Sequence, residues 1–122
     1  MRSLFAAKAV LGGGDTLITF AEFKKMELRI GKILSVENHP NAEKLYVMKI
    51  DIGGEVKQSV AGLKDYYTPE QLSGKTVVVI ANLEPAKLRG VESEVMLLAA
   101  QHNNEVVILI PERDVPPGAK VL

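Results

Sequence analysis

Hydrophobic and polar residues alternate along much of the chain with the two-residue period of β-strands. The alternation runs through residues 28–37, and it returns in residues 46–52 and 56–60. Because successive side chains of a strand point to opposite faces of a sheet, each stretch predicts a strand with one buried face. Gly53 and Gly54 supply a tight turn between the second and third stretches. The pattern therefore predicts a meander of three strands.

Two later runs, residues 76–83 and 106–110, are apolar and rich in β-branched residues. Runs of this kind, bounded by Gly, Pro and Asn, are typical of strands buried on at least one face. The first run predicts a fourth strand. A fifth strand is predicted from near Glu94, with a hairpin at residues 102–104 that returns the chain through the second run. Residues 82–94 are predicted to form a long loop between the fourth and fifth strands.

Two short helices are predicted from their capping signals. Thr19 and Glu22 have the spacing of a capping box, and Thr68 and Gln71 repeat that spacing around a proline at the first helical position. The phenylalanines of the first helix are expected to anchor it to the core. The second helix is expected to connect the third strand to the fourth.

This order of elements is that of an all-β domain, a five-stranded Greek-key barrel of the oligonucleotide-binding (OB) fold with short helices. We expect the domain to cover residues 18–122, and residues 1–17, which contain three consecutive glycines, to be a flexible leader or linker. The C-terminal extension, residues 111–122, is expected to wrap the barrel or to meet a second subunit. Because OB barrels bind ligands at the mouth around strands two and three, residues 38–45 and 82–94 are the expected binding loops.

The composition limits the possible functions. The chain has 15 basic and 15 acidic residues, so binding of a polyanion must depend on local clusters and shape rather than on a broad field. There are no cysteines, and the two histidines lie in separate predicted loops, which predicts a non-catalytic protein with no metal and no cofactor. The lack of cysteines makes the cytoplasm the default compartment. No apolar run approaches the roughly 18 residues that span a bilayer, so we expect a soluble protein without a membrane partner.

Lys32 interrupts the apolar phase of the first strand. It follows Gly31, so either a bulge at the glycine turns the lysine outward or the lysine emerges at an open edge of the sheet. Alternatively it is a surface lysine whose stem covers apolar surface. Residues 22–32 around it hold four bases and two acids, so Lys32 is a candidate phosphate contact.

Four motifs resemble those of a known family, in the same order. They are HPNAEKL at 39–45, YYTPE at 66–70, VIANLEPAKLRGVES at 79–93 and PPG at 116–118. They are similar to the tRNA-binding domain at the C-terminus of many methionyl-tRNA synthetases. That domain also occurs as a separate beta subunit of the synthetase and as a free-standing structure-specific tRNA-binding protein. The resemblance covers about residues 18–122.

The resemblance implies a dimeric barrel that recognises tRNA by its overall shape and supports a synthetase without doing chemistry. The implied partners are tRNA, a second copy of the chain and a catalytic aminoacyl-tRNA synthetase chain. The predicted tRNA contacts are Asn41 and Lys44 in the first loop, Lys87 and Arg89 in the second, the Ser-x-x-Met residues Ser93 and Met96, and Lys32. Where the family usually has Gln-Gly this chain has Glu94-Val95, which adds a negative charge beside these contacts.

Several of these residues have an alternative role in the fold. Asn41 suits the turn after a proline for backbone reasons, the Ser93 hydroxyl can bond the loop backbone, and Met96 can fill a core. The alternative functions are a peptide-binding, secretion-type chaperone of the same fold and a module that dimerises or tethers a partner. RNA binding would weaken steeply with salt, whereas an apolar groove would be little affected.

Overall fold

A computed structural model of the chain describes residues 16–122, and all but the last two residues of the predicted leader lie outside that range. Within it, short helices and short strands follow one another along a mostly β chain. The elements are α1 (Phe20–Lys24), β1 (Leu28–Asn38), β2 (Tyr46–Asp51), β3 (Val56–Ala61), α2 (Pro69–Leu72), β4 (Thr76–Ile80), β5 (Ala86–Leu88), β6 (Val91–Ser93), β7 (Met96–Leu97), β8 (Ala99–His102) and β9 (Glu105–Ile108).

Both predicted capping boxes are present. The Glu22 backbone N–H donates to the Thr19 hydroxyl over 3.0 Å, and the Thr19 N–H donates to the Glu22 carboxylate over 2.8 Å. Thr68 and Gln71 make the same pair of contacts, at 3.2 and 2.7 Å. The expectation that phenylalanines anchor α1 to the core is wrong for Phe20, which is 73% exposed, and α1 buries none of its residues. Its stability therefore comes from its cap more than from the core.

Five strands form one antiparallel sheet in the order β3-β2-β1-β4-β7. The long central strand β1 changes partner along its length, because residues 28–32 pair with β4 and residues 32–38 pair with β2. β3 in turn contacts β6 and β7, so the two edges of the sheet approach each other and nearly close a barrel. The predicted five-stranded OB-type barrel is confirmed.

The closure is made by hydrogen bonds between β3 and the chain before β7. The Gln58 carbonyl accepts from the N–H groups of Glu94 and Val95, at 2.7 and 3.3 Å, and the Gln58 N–H donates to the Glu94 carboxylate at 2.9 Å. The barrel encloses apolar side chains that are buried almost completely. This core contains Ile33, Tyr46, Met48, Ile50, Ile52, Leu63, Leu72, Val77, Val79, Val95, Leu97 and Ile108.

The irregularity in β1 lies at Leu34 and not at Gly31. The register against β2 shifts just after Ile33, so Ile33 is fully buried while Leu34 is 47% exposed, which breaks the predicted alternation. β1 is paired on both sides at Lys32, so this exposed lysine does not emerge at an open edge. Gly31 has another role, because a Cβ there would lie 2.7 Å from Ile50 Cγ2.

The predicted long loop is partly a hairpin. β4 ends at Ile80, earlier than predicted, and β5 and β6 pair through the two-residue turn Arg89-Gly90. The predicted fifth strand consists of β7, β8 and β9, and the last two pair through Asn103-Asn104, where the sequence predicted a hairpin.

The C-terminal extension wraps the barrel, which was one of its two expected roles. The Gly118 N–H donates to the Ile30 carbonyl over 2.7 Å, and the Ile30 N–H donates to the Ala119 carbonyl over 2.9 Å. The extension thus pairs with the part of β1 that β2 leaves free. Gly118 and Gly53 both have positive φ, and a Cβ on Gly118 would lie 2.9 Å from Gly53 Cα, so the contact requires glycine.

Candidate nucleic-acid interface

Two loops meet beside each other on the barrel. The first loop, residues 39–45, joins β1 to β2, and the second loop, residues 81–95, joins β4 to β7 and carries the β5–β6 hairpin. His39 Nε2 lies 2.8 Å from the carbonyl oxygen of Leu88, so the first loop is bonded directly to the hairpin of the second. The two predicted binding loops are therefore neighbours.

His39 clamps the two loops together from a buried position, with 6% of its surface exposed. Its Nδ1 atom accepts a hydrogen bond from the Asn41 backbone N–H at 2.9 Å, while Nε2 faces the Leu88 carbonyl. Because an N–H only donates and a carbonyl only accepts, the ring must carry its proton on Nε2 and leave Nδ1 bare. The neutral Nε2–H tautomer is thus the form that completes both contacts.

Arg89 stands at the tip of the hairpin in an uncommon backbone conformation. Its φ is +53° and that of Gly90 is +91°, the sign that a two-residue type I′ turn requires at both positions. Asparagine is preferred at the first of them, and the left-handed region costs most other residues about 1–2 kcal/mol. The exposed Arg89 side chain has no hydrogen-bond or ion-pair partner within residues 16–122. The turn therefore presents an unpaired guanidinium to solvent.

Arg89 and the first loop line one open cleft of about 440 Å³, which we call the loop cleft; its other residues are Asn41, Ala42, Glu43, Lys44 and Leu45. The Lys44 ammonium donates to the Asp65 carboxylate over 2.8 Å, and this hydrogen bond and the negative charge of Asp65 raise the pKa of Lys44. Lys44 therefore stays charged, but its charge is shared with Asp65. Since Glu43 also lines the cleft, the loop cleft presents two cations from two hydrogen-bonded loops without a strong net charge.

Ser93 and Met96 lie on the other side of the hairpin. The Ser93 hydroxyl accepts from the Val60 N–H over 3.0 Å and donates to the Val95 carbonyl over 3.3 Å, so it bonds the backbone, as its alternative role predicts. Met96 is 49% exposed. Both residues line a separate cleft of about 170 Å³, the apolar cleft, whose walls include Leu83 and Leu88. The structure does not bring Ser93 and Met96 into the loop cleft.

Lys87 and Lys32 also lie outside the loop cleft. Lys87 is exposed on β5, directly across the hairpin from Glu92, where opposite charges attract. Lys32 lies six residues before the end of β1, which at about 3.3 Å per residue is roughly 20 Å along the strand from the first loop. Contacts of these two lysines with RNA stay predictions.

Glu94 and Val95 serve the barrel closure. Besides the bond from β3, the Glu94 carboxylate lies 3.9 Å from the Lys57 ammonium. Val95 is a core residue with 2% of its surface exposed. The negative charge that separates this chain from the usual Gln-Gly pattern is therefore directed toward β3 and not toward the loop cleft.

The sequence analysis missed the roles of His39 and Asn82. The Asn82 side chain accepts from the Glu27 N–H at 2.9 Å and donates to the Lys25 carbonyl at 2.7 Å, which fixes the base of the second loop to the chain before β1. Both residues stand in the motifs of the resemblance. The Leu88 partner of His39 is 49 residues away and the two partners of Asn82 are 55 and 57 residues away, so no local sequence signal indicates these contacts.

The described residues form neither a cluster of metal-ligating side chains nor a membrane-spanning helix. No group of three or more His, Asp or Glu side chains in residues 16–122 is placed to hold a metal ion. In the same part of the chain, every helix is too short to cross a membrane.

Comparison with known proteins gives a consistent result. Residues 28–120 match the family described as "Putative tRNA binding domain". The chain is 59% identical over 104 residues to the methionine-tRNA ligase of Pyrococcus furiosus. The aligned region covers 85% of this chain and 14% of that protein. The crystal structure of a MetRS-related protein from Pyrococcus horikoshii is similar with a TM-score of 0.81 and 34% identity, covering 87% of this chain and 98% of that one. Chaperone CsaA from Bacillus anthracis is similar with a TM-score of 0.79 and 32% identity, covering 87% and 99%.

Proposed function

Because this chain belongs to the tRNA-binding domain family, we propose that it is a tRNA-binding module that supports aminoacylation by a methionyl-tRNA synthetase. The chain spans 14% of the length of its synthetase relative from Pyrococcus furiosus, so the proposed role is that of the beta subunit or of an appended domain. The module is non-catalytic and acts in the cytoplasm, where it holds the tRNA for the active site of a catalytic chain.

The loop cleft carries this proposal. A chain with no net charge cannot attract RNA through a long-range electrostatic field, so it must present hydrogen-bond donors at defined places on its surface. The guanidinium of Arg89 has five donors in a planar fork that matches a phosphate, and the exposed amide of Asn41 offers a donor and an acceptor to a 2′-hydroxyl or a base edge. Lys44 adds a second cation. Because its charges are largely compensated, the loop cleft selects a folded RNA by its shape and does not bind every polyanion.

The remaining predicted contacts take secondary places in this proposal. Lys87 meets phosphate on the outer side of the hairpin, and the half-exposed Met96 offers a polarisable apolar surface to an unstacked base. Ser93 acts by holding the hairpin on β3. Lys32 takes part where the RNA runs along β1.

A homodimer is part of the proposal. Val107 in β9 and Leu109 and Ile110 just after it are 50%, 41% and 56% exposed, and an exposed apolar run on a small domain favours contact with a second copy. Light scattering should give about twice the 13.3 kDa of the chain. A mass of one chain at every concentration would contradict the dimer without affecting tRNA binding.

Peptide binding is the second candidate function. It is supported by the similarity to chaperone CsaA and by the apolar cleft, where Leu83, Leu88 and Met96 expose 38–49% of their surface. Because burial of apolar surface is little screened by salt, peptide binding would persist where RNA binding fails.

The test is a filter-binding titration of the wild-type protein and Lys44→Gln/Arg89→Asn with bulk tRNA at low salt. Asparagine keeps the positive φ of the turn, so the variant loses two charges and retains the hairpin. Since a hydrogen bond to a charged group contributes about 1.5–3 kcal/mol, we expect affinity to fall at least tenfold with little change in melting temperature.

Lys75→Gln/Arg113→Gln is the matched control, because these two cations line a different cleft together with Glu112 and Asp114. It should bind tRNA like the wild type. Equal affinity of the loop variant and the wild type would remove the loop cleft from the interface. No saturable tRNA binding by the wild type, with salt-insensitive binding of an apolar peptide, would replace the first candidate by the second.

A further inference from the structure

Four basic side chains converge at a place that is not part of the loop cleft. Lys24, Lys25, Arg29 and Lys120 line an open cleft of about 370 Å³, which we call the basic cleft; Met26, Glu27 and Gly118 complete it. The four cations come from three chain segments, namely the end of α1, the start of β1 and the C-terminal extension. The sequence marks the first two segments as basic, but it does not reveal that the chain terminus brings a further lysine to them.

Backbone pairing builds this cleft. Arg29 and Lys120 face each other in an antiparallel bridge between β1 and the C-terminal extension. Asn82 accepts from the Glu27 N–H and donates to the Lys25 carbonyl, so the chain before β1 is fixed as well. The cations are therefore brought together by hydrogen-bonded backbone.

The positive charge of the basic cleft is poorly compensated. Glu27 is its one carboxylate, and it forms an ion pair with Arg29. Lys24 lies 5.4 Å from the centroid of the Phe20 ring, a contact that leaves the lysine charged. The side chains of Lys25 and Lys120 are exposed and have no hydrogen-bond or ion-pair partner within residues 16–122.

Four positive charges against one negative charge leave a formal charge of +3 on this small surface. The whole chain has a net charge of zero, so the fold concentrates positive charge here at the expense of other surfaces. Like charges held close together repel, and a ligand that supplies several negative oxygens in a row relieves that repulsion. A phosphate backbone is such a ligand.

The position of the basic cleft connects it to the loop cleft. Asn82, at the base of the second loop, bonds the backbone of Lys25 and Glu27 in the basic cleft, and Arg89, at the tip of the same loop, lines the loop cleft. The seven residue steps from Asn82 to Arg89 span at most about 25 Å of extended chain. One folded RNA is large enough to contact both.

We propose that the basic cleft is a second phosphate-binding surface, which holds the backbone of the same tRNA molecule that enters the loop cleft. This inference rests on the proposed function. Phosphate contacts fix the position of a nucleic acid without reading its sequence. The basic cleft therefore supplies salt-dependent affinity, and the loop cleft supplies recognition of shape.

The test compares the salt dependence of tRNA binding by the wild type and by Lys25→Gln/Lys120→Gln, in the full chain. Each phosphate contact contributes about 0.7–0.9 to the slope of log affinity against log salt concentration. Losing two contacts should lower the slope by about 1.4–1.8, so the variant binds more weakly at low salt and loses roughly tenfold less affinity between 50 and 200 mM salt. Folding should be retained, because both lysines are exposed and unpaired within the described residues.

Two further variants make the result specific. Lys75→Gln/Arg113→Gln removes two charges from a cleft that already contains two acids, and its slope should equal that of the wild type. Lys25→Arg/Lys120→Arg keeps both charges, and it should restore the wild-type slope.

A wild-type slope for Lys25→Gln/Lys120→Gln would overturn the second surface. In that case tRNA binding that still depends on Arg89 would leave the proposed function standing. A loss of affinity with no change in slope would also overturn the second surface, because it would mean an indirect effect. If the wild type bound no tRNA at any salt concentration, both proposals would fall together.

Discussion

The loop cleft and the basic cleft present positive charge in opposite ways. In the loop cleft, Lys44 is bonded to Asp65, and Arg89 follows Leu88, whose carbonyl is bonded to His39. In the basic cleft, the side chains of Lys25 and Lys120 have no partner within the described range, while a backbone bridge joins Lys120 to Arg29 and the Lys25 carbonyl accepts from the Asn82 amide. Asp65 and Glu43 offset part of the positive charge of the loop cleft, whereas the basic cleft has one carboxylate against four cations, so salt screening should reduce RNA binding more at the basic cleft. The two clefts should therefore respond differently to mutation and to ionic strength.

The difference in charge compensation between the two clefts would explain how a chain with no net charge binds a polyanion. A surface with compensated charges selects by shape, because a ligand gains only where its groups meet donors at fixed positions. A surface with uncompensated charges adds affinity for any phosphate backbone. Combining one surface of each kind on one barrel would give affinity without indiscriminate binding.

The largest effect is expected from the loop tip. Arg89→Asn should weaken tRNA binding roughly tenfold, about 1.4 kcal/mol, because the variant removes a guanidinium that has no partner among residues 16–122. Lys44→Gln should cost two- to threefold, about 0.5 kcal/mol, because Asp65 already shares the charge of that lysine. Single-variant titrations at one salt concentration measure both effects. A larger loss for Lys44→Gln would contradict the division of roles within the loop cleft.

Chemical denaturation provides the control for folding. Arg89→Asn should leave the free energy of unfolding unchanged or raise it by up to about 1 kcal/mol, because asparagine tolerates positive φ better than arginine. A destabilised variant would mean that the arginine supports the hairpin itself.

An intermediate effect is expected from the clamp. In His39→Asn the shorter amide can still accept from the Asn41 N–H but cannot reach the Leu88 carbonyl, so the link between the loops is lost. In His39→Gln the longer amide can donate to Leu88. Each variant loses one hydrogen bond, about 0.5–1.5 kcal/mol of stability. We expect His39→Asn to weaken tRNA binding about fivefold, about 1 kcal/mol, and His39→Gln to bind nearly as well as the wild type.

The salt slope and a double-mutant cycle separate positioning from general damage. The slope should be the same in both His39 variants, because no charge is removed. If His39 acts by positioning Arg89, then His39→Asn should have little further effect in the Arg89→Asn background. Equal losses for the asparagine and glutamine variants, or full additivity with Arg89→Asn, would show that the clamp does not act through the loop tip.

The smallest effect is expected at Glu94. Glu94→Gln removes the negative charge by which this chain differs from its family pattern, yet the amide oxygen can still accept from the Gln58 N–H. Because the carboxylate faces β3, tRNA affinity should stay within about twofold of the wild type, less than 0.5 kcal/mol. A gain of fivefold or more would mean that this carboxylate repels the bound RNA.

The sequence determined the elements of this fold wherever a few neighbouring residues were sufficient. The capping boxes at Thr19 and Thr68 and the turn at residues 53–54 each depend on contacts within three residues. Alternation of apolar and polar positions also predicted the buried face of β2, and that of β1 up to the shift at Leu34, but it failed in β3, where Val56 is 51% exposed and Ser59 is buried. The motifs placed Asn41, Lys44 and Arg89 in two loops of one barrel, and the structure brings these three residues together in the loop cleft.

Only the tertiary structure decided which distant residues meet. The bond from His39 to Leu88 joins residues 49 positions apart, and Lys120 reaches Arg29 from the other end of the chain. The Ser93 hydroxyl accepts a hydrogen bond from the Val60 N–H, 33 positions away, which the local sequence could not show. Periodicity reports the face on which a side chain lies, but not the strand or loop that closes over that face. For that physical reason the sequence predicted a barrel with two binding loops, while the clamp between them and the basic cleft emerged only from the fold.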